Sequence, residues 1–221
     1  MPRIDFDRDL RLLQDDLLLL GSMVEKAIAK ALDALKRRDL DASQQVLEED
    51  SLIDHKRFQI EEKCIDLIAT QQPLARDLRT LVSILHMAVE LERMGDYAEG
   101  IARISVRMGE EPPLKRLIDV PRMGELASSM LRRSLDAFVN RDVVAANEVC
   151  RADDEVDALY EQVYRELLIF MIEDPKTVKR ATFLLWVAHD LERIADRATN
   201  IAERVVYLVT GKIVEINVSK Y

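Results

Sequence analysis

The side chains in this sequence that could carry chemistry are carboxylates spaced four residues apart. Four residues make about one turn of an α-helix, so both carboxylates of such a pair project from the same helix face. Four pairs stand out because each recurs at a corresponding place further along the chain. They are Asp50 with Asp54, Glu92 with Asp96, Asp153 with Asp157, and Glu192 with Asp196.

A single acidic pair is weak evidence for a binding site. With 41 acidic residues in 221, chance alone gives about eight pairs at this spacing, and most belong to solvated faces. Like charges at this spacing cost a helix about 0.2 to 0.5 kcal/mol, so a repeated set calls for a compensating charge. Arg93 and Arg193 could supply it, or bound cations could. Arg93 follows Glu92 by one residue, about 100° around the helix, and therefore does not lie squarely over the Glu92 and Asp96 face.

Four carboxylates brought together from two helices would form an oxygen-only cage. Such a cage suits hard cations such as Fe, Mn, Mg or Ca and does not suit a structural zinc. None of His55, His86 and His189 has Glu three residues before it, so the Glu-x-x-His pattern of ferritin-like di-iron enzymes is absent. The sequence also lacks a Gly-rich phosphate loop, a nucleophile elbow and His-Glu-x-x-His. These observations favour a protein that is not an enzyme.

The acidic pairs lie in a sequence duplication. The segment A-V-E-L-E-R-M-G-D-Y-A-E-G-I-A at 88–102 matches A-H-D-L-E-R-I-A-D-R-A-T-N-I-A at 188–202, with eight of fifteen positions identical. Upstream, L-D-A-L-K-R-R-D at 32–39 matches L-D-A-F-V-N-R-D at 135–142. The offset is 100 in the first match and 103 in the second, so a connection in the second half is three residues shorter.

Apolar residues recur at steps of three and four, the period of amphipathic helices. Breaks rich in Pro, Asp, Asn and Glu divide the chain into six predicted helices, at about 5–38, 41–70, 74–108, 117–140, 143–172 and 176–210. The pattern predicts an all-α protein of two tandem pseudo-repeated three-helix bundles, with six long antiparallel helices. The first repeat spans 1–112 and the second 113–221, with a hinge at 110–114.

Four local features carry further expectations. Gly21 is expected to weaken or bend the first helix, and Pro73 and Pro175 each suit the first turn of a helix. Residues 213–218 alternate in polarity and are expected to form a short extended tail.

Charge and hydropathy exclude some classes of partner. The net charge is −9 with a pI near 5.0, and the basic residues are dispersed, so we expect no nucleic-acid binding. The apolar runs fall short of the roughly 20 residues that a membrane span requires, so we expect no membrane insertion, no anchor and no signal peptide. Cys64 and Cys150 have no motif partner and are expected to be buried thiols in a reducing cytoplasm.

The duplicated motif, L-E-R-M-G-D at 91–96 and L-E-R-I-A-D-R-A-T-N-I-A at 191–202, resembles the PhoU family of phosphate-signalling regulators. The likeness covers nearly the whole chain. It implies two similar three-helix bundles whose acidic motifs bind metal ions, as multinuclear iron or as Mn, Mg, Ca or Zn. It also implies a non-catalytic negative regulator, homodimeric and cytoplasmic. Such a protein links the ATPase subunit of a phosphate ABC transporter to a sensor histidine kinase.

The resemblance also assigns metal ligands to this chain. They are Asp50, Asp54, Glu92, Asp96, Asp153, Asp157, Glu192, Asp196 and Asn200. The first half departs from the pattern, because Gly100 stands where the second half has Asn200. Either Glu99 takes that place or the first site binds fewer ions.

Two other functions remain open on the residues alone. One is a carboxylate-bridged, metal-dependent oxidase or a metal-storage bundle, which would consume oxygen or oxidise iron. The other is a purely structural helical scaffold, which would bind no metal. The resemblance favours the adaptor over both.

Overall fold

A computed structural model describes residues 3–109, 111–112 and 114–213, excluding the side chains of Arg3 and Ile4. This part of the chain forms six long α-helices, as the apolar period predicted, and no strand. They are α1 (Arg3–Arg37), α2 (Leu40–Gln71), α3 (Ala75–Met108), α4 (Asp119–Asn140), α5 (Val143–Glu173) and α6 (Val178–Thr210). A short 3-10 turn, Pro175–Thr177, leads into α6.

The breaks between helices use the same residues in both halves. Asp39 caps α2, with its Oδ1 accepting a hydrogen bond from the Ala42 backbone N–H at 2.9 Å. Asp142, 103 residues later, caps α5 and accepts from the Val144 and Ala145 N–H groups. The residue before each cap, Arg38 or Arg141, has a positive φ of 57° or 53°. A tight αL turn followed by an Asp cap therefore ends one helix and starts the next in each half.

Each half is a three-helix bundle, and the two bundles are joined side by side. Helix α1 packs against α2 and α3, and α4 packs against α5 and α6. Between the halves α3 packs along α6, and α1 contacts α4. The apolar stripes of α3 and α6 are fully or almost fully buried, and residues of both halves form one continuous core. The stripes consist of Ile84, Met87, Leu91, Met94, Ala98 and Ile101 on α3, and of Leu184, Val187, Leu191, Ile194, Ala198, Ile201, Val205 and Leu208 on α6. The repeat units at 1–112 and 113–221 thus share a core.

Gly21 does not bend α1, contrary to our expectation. The helix runs unbroken from Arg3 to Arg37, and Gly21 is buried where α1 meets α4. A Cβ at this position would collide with Leu135 Cδ1, and a Cβ at Gly124 would collide with Leu32 Cδ1. The two contacts are related by the 103-residue repeat. Gly21 and Gly124 are therefore packing notches that let α1 and α4 approach each other closely.

The remaining local expectations have mixed outcomes. Pro175 opens the 3-10 turn that precedes α6, as predicted. Pro73 lies outside α3, which begins at Ala75 with Leu74 as its N-cap, because the longer connection of the first half places the proline two residues too early. Of the predicted tail, Ile213 has no regular structure, and 214–218 lie outside the described residues, as do 110 and 113 of the predicted hinge.

None of the described helices combines the length and the apolar character that crossing a membrane would require. Cys64 and Cys150 are both buried free thiols, as predicted.

Substitutions at the two notch glycines test the packing between the halves, because the expected change in stability reverses when the opposing leucine is removed. Gly21→Ala gains about 1 kcal/mol of helix propensity but costs about 1 to 3 kcal/mol through overpacking against Leu135. We expect a net loss in the wild-type background and a net gain in a Leu135→Ala background, measured by urea unfolding. Gly124→Ala with Leu32→Ala should reproduce the same coupling. Equal stabilisation by Gly21→Ala in both backgrounds would contradict the notch.

Candidate metal centre

The first half brings three of the predicted carboxylates together. One oxygen each of Asp50 and Asp54 on α2 and of Asp96 on α3 lies within 4.8 Å of the other two. Asp50 and Asp54 are partly buried and Asp96 is exposed, so the cluster opens to solvent. We refer to these three residues as the first acidic cluster.

Gly95 allows α2 and α3 to approach each other beside this cluster. A Cβ built at Gly95 would lie 3.1 Å from two carbons of the Ile53 side chain and 3.6 Å from Asp50 Oδ1. The first distance is tighter than an ordinary van der Waals contact, so even an alanine would press α2 away from α3. In the second half Ala195 occupies the corresponding position and is fully buried.

The charges of the cluster repel one another. Burial, followed by the charges of Glu99, Asp54, Asp96 and Glu92 in that order, raises the pKa of Asp50 from 3.8 to about 6. Burial is also the first cause of the raised pKa of Asp96, followed by Asp54 and Glu99. A cation placed among these oxygens would relieve both the repulsion and the desolvation of the carboxylates.

Glu92 lies beside the first acidic cluster rather than in it. It lines an open depression of about 450 Å³ together with Asp96, Tyr97 and Arg57. Burial and the charge of Asp96 raise the pKa of Glu92, while Arg57 lowers it. Arg57, three residues after Asp54, is a cation that the sequence interpretation missed. It also forms an ion pair with Glu61 at 2.6 Å.

The second half holds its carboxylates differently. Among the described residues, Asp153, Asp157 and Asp196 do not converge as their counterparts do. Asp153 is only 2% exposed, whereas its counterpart Asp50 is partly buried. Glu192 Oε2 is buried without a hydrogen-bond donor in the described part of the chain. Burial, and then the charge of Asp196, raise the pKa of Glu192 to about 7.

Arg193 explains much of this difference. Its guanidinium donates a hydrogen bond to Asp196 Oδ2 and another to Tyr97 of the first half. It reaches Asp196 because it precedes that residue by three positions, a neighbouring place on the helix surface. The internal counter-ion and the bound cation are thus not exclusive alternatives. The second half supplies the counter-ion, whereas the equivalent Arg93 is exposed.

Asn200 joins the two halves. Its Nδ2 donates a hydrogen bond to Glu90 Oε2 at 3.0 Å, and Arg197 Nη1 lies 3.2 Å from the same oxygen. In the mirrored contact Gly100 lies against Asp190, whose Oδ2 would be 2.9 Å from a Cβ at that glycine. The role of Asn200 as a metal ligand stays a prediction.

Glu99 lies where the sequence placed the substitute for Asn200. Its charge acts on both Asp50 and Asp96, and Arg103 one turn later holds it in an ion pair. A ligand shell for the first cluster can therefore draw on Asp50, Asp54, Asp96 and, beside them, Glu92 and Glu99. Oxygen donors alone at these separations fit a hard cation at about 2.0 to 2.6 Å.

The raised pKa of Asp50 predicts a pH effect in the metal-free protein. Because the folded-state pKa of about 6 exceeds the ordinary value of 3.8, ionisation costs the folded state stability that begins to be lost above pH 4 and is fully lost above pH 6. Asp50→Asn should therefore stabilise the protein at pH 8 by about 1 kcal/mol, after solvent screening, and have no such benefit at pH 4.

Thermal unfolding at the two pH values checks this, with an expected difference of about 2 to 4 °C at pH 8. Asp66→Asn, an exposed substitution on α2 outside the cluster, is the control. The same benefit from Asp50→Asn at pH 4 and pH 8 would contradict a proton-linked origin.

Comparison with known sequences places this architecture in a family. The family model described as the PhoU domain matches the chain twice, at residues 17–105 and 120–205. A phosphate-specific transport system accessory protein PhoU homolog of Clostridium acetobutylicum is 41% identical over 218 residues, which cover 98% of this chain and 100% of that protein. A protein with the same description from Aquifex aeolicus is 39% identical over 208 residues, 94% of each chain.

Solved structures agree with these sequence relationships. The crystal structure of PhoU from Pseudomonas aeruginosa superposes with a TM-score of 0.89 at 37% identity, covering 94% of this chain and 100% of that one. The phosphate transport system regulatory protein PhoU from Streptococcus pneumoniae gives a TM-score of 0.88 at 33% identity, covering 95% and 99%. The two family matches fall on the two three-helix halves, and the chain belongs to the PhoU family.

Proposed function

We propose that this chain is a non-enzymatic, metal-binding negative regulator of phosphate uptake and of phosphate-starvation signalling. It acts in the cytoplasm as an adaptor between the ATPase subunit of a phosphate ABC transporter and a sensor histidine kinase. Membership in the PhoU family supports the regulatory role, because the relatives are named as accessory or regulatory proteins of phosphate transport. The converging oxygens of the first acidic cluster support metal binding.

The two halves are proposed to bind metal unequally. In the first half a cation meets three converging carboxylates and replaces their mutual repulsion with attraction. In the second half it must compete with Arg193 for Asp196. Multinuclear iron is the proposed native occupant, and Mn, Mg, Ca or Zn are the alternatives, because oxygen ligands accept all of them.

The repeat supports the proposed adaptor role. Two similar surfaces let one molecule contact two partners, and such bivalent binding raises avidity by about 10² to 10⁴ where the geometry fits. A homodimer would double these surfaces again. The oxidase or storage alternative draws support from the carboxylate cluster alone, and oxygen consumption or ferroxidase turnover by the purified protein would favour it.

Metal content tests the cluster assignment. We expect Asp96→Ala to remove most of the metal that co-purifies with the protein, and Asp96→Ala with Asp196→Ala to remove nearly all of it. Inductively coupled plasma mass spectrometry measures the metal, and circular dichroism verifies that the helices remain. Asp66→Ala is the matched control on α2. Unchanged metal content in the double variant would show that the ligands lie elsewhere.

Metal removal should leave the fold intact. The shared apolar core does not include the first acidic cluster, so the fold does not depend on an ion as a zinc finger does. A ligand present at 100 times its Kd contributes about 2.7 kcal/mol, so stripping the metal should lower Tm by less than about 10 °C. Circular dichroism before and after chelation measures this, and loss of the helical signal on chelation at 25 °C would refute it.

A further inference from the structure

A second site of a different character lies at the end of the bundle where the first half has its longer connection. A cavity of about 850 Å³ opens between the start of α1, the α2–α3 connection and the turn that follows α4. Three arginines line it: Arg11 on α1, Arg76 in the first turn of α3, and Arg141 in the turn after α4. The first acidic cluster lies on other residues, so the two sites share no side chain.

The three guanidinium groups lack ion-pair partners among the described residues. Among the described residues none of them has a carboxylate oxygen within 4.0 Å, and Arg11 Nε donates only to the backbone oxygen of Asp7 at 3.2 Å. Burial, followed by the nearby charge of Arg76, lowers the pKa of Arg141, and only Asp77 acts in the opposite direction. The described part of the wall therefore carries a net positive charge, although the whole chain carries a net charge of −9.

The rest of the lining is mixed. Among the described residues Asp7 and Asp77 are the carboxylates in the wall, and with the three arginines they sum to one positive charge. Phe6, Leu10 and Leu74 supply an apolar surface on the same cavity. A volume in this range, with an apolar wall and a few converging polar groups, is typical of sites for small organic molecules.

The repeat does not reproduce this set of arginines, because Arg11 and Arg76 come from the first half and Arg141 comes from the second. The second half has a connection three residues shorter, and Lys176 and Thr177 stand where the first half has Arg76 and Asp77. A lysine presents a point charge, whereas an arginine presents a planar fork that binds a tetrahedral oxyanion through two hydrogen bonds. Lys176 is therefore a matched control position for Arg76.

We propose that the cavity lined by Arg11, Arg76 and Arg141 binds a phosphate group, either free or carried on a small organic molecule. Guanidinium groups that form no ion pair with a described carboxylate supply the positive charge and the planar pairs of N–H donors that bind a phosphate group. The cavity exceeds the size of one such ion, so the apolar wall can hold an organic part. The physiological meaning of the site rests on the proposed role in phosphate regulation, whereas the lining of the cavity is observed independently of that role.

The test uses full-length protein stripped of metal by a chelator, so that phosphate cannot bind through a metal ion. Isothermal titration calorimetry is carried out with inorganic phosphate, with AMP and with adenosine. We expect Kd below about 1 mM for AMP or phosphate and no binding of adenosine. Tighter binding of AMP indicates that the apolar wall contributes, and equal binding of AMP and phosphate indicates that the phosphate group suffices.

Variants connect this binding to the cavity. Arg76→Gln and Arg141→Gln should each weaken binding at least tenfold, and Lys176→Gln at the matching place in the second half should leave it unchanged. Arg11→Gln is a further variant, because the exposed Arg11 side chain can be replaced without disturbing the fold. Absence of binding by both phosphate and AMP would overturn the proposal, as would binding that none of the three arginine variants weakens. Because the protein is metal-free throughout, failure here leaves the metal-content test unaffected.

Discussion

The close packing of the two halves along α3 and α6 is the constraint on which the rest of the structure depends. The apolar stripes of α3 and α6 are buried where the bundles meet, and apolar residues of both halves form one continuous core. The contact is built from reciprocal pairs. Between α1 and α4, a leucine of each helix packs against a glycine of the other. Between α3 and α6, Glu90 contacts Asn200 and Asp190 contacts Gly100. This packing fixes the rotation of α3 and α6 and thereby turns their acidic faces away from the shared core.

The same packing makes equivalent positions chemically unequal. At the α3–α6 contact Asn200 donates a hydrogen bond to Glu90, whereas Gly100 has no side chain that could donate one to Asp190. Burial accordingly raises the pKa of Asp190 to about 7. On the outer faces, Gly95 lets α2 approach α3, while Ala195 adds a methyl group at the equivalent place. Duplication has thus preserved the helices and the positions of the carboxylates but not their environments.

Much of this could be predicted from the sequence because the relevant signals are local or repeated. The apolar period and the Asp caps at 39 and 142 specify the six helices, and the acids at matching offsets indicate which faces matter. Gly21 was misinterpreted because helix propensity describes an isolated helix, and only the partner Leu135 reveals why a glycine is needed. The 103-residue offset between Gly21 and Gly124 was a signal that could have corrected this. Arg57 and the burial of Asp153 depend on tertiary packing and carry no comparable sequence signal.

Arg193 shows how the second acidic site is coupled to the contact between the halves. Its guanidinium binds Asp196 on α6 and Tyr97 on α3 at once, so a ligand that takes Asp196 removes one of the two partners that orient this side chain. In the first half Arg93 has no equivalent constraint, because it is exposed. A cation bound at Asp196 would therefore act on the α3–α6 contact, whereas a cation bound at the first acidic cluster would act on the α2–α3 pair. Two repeated acidic motifs would thus couple the same event to different parts of the fold.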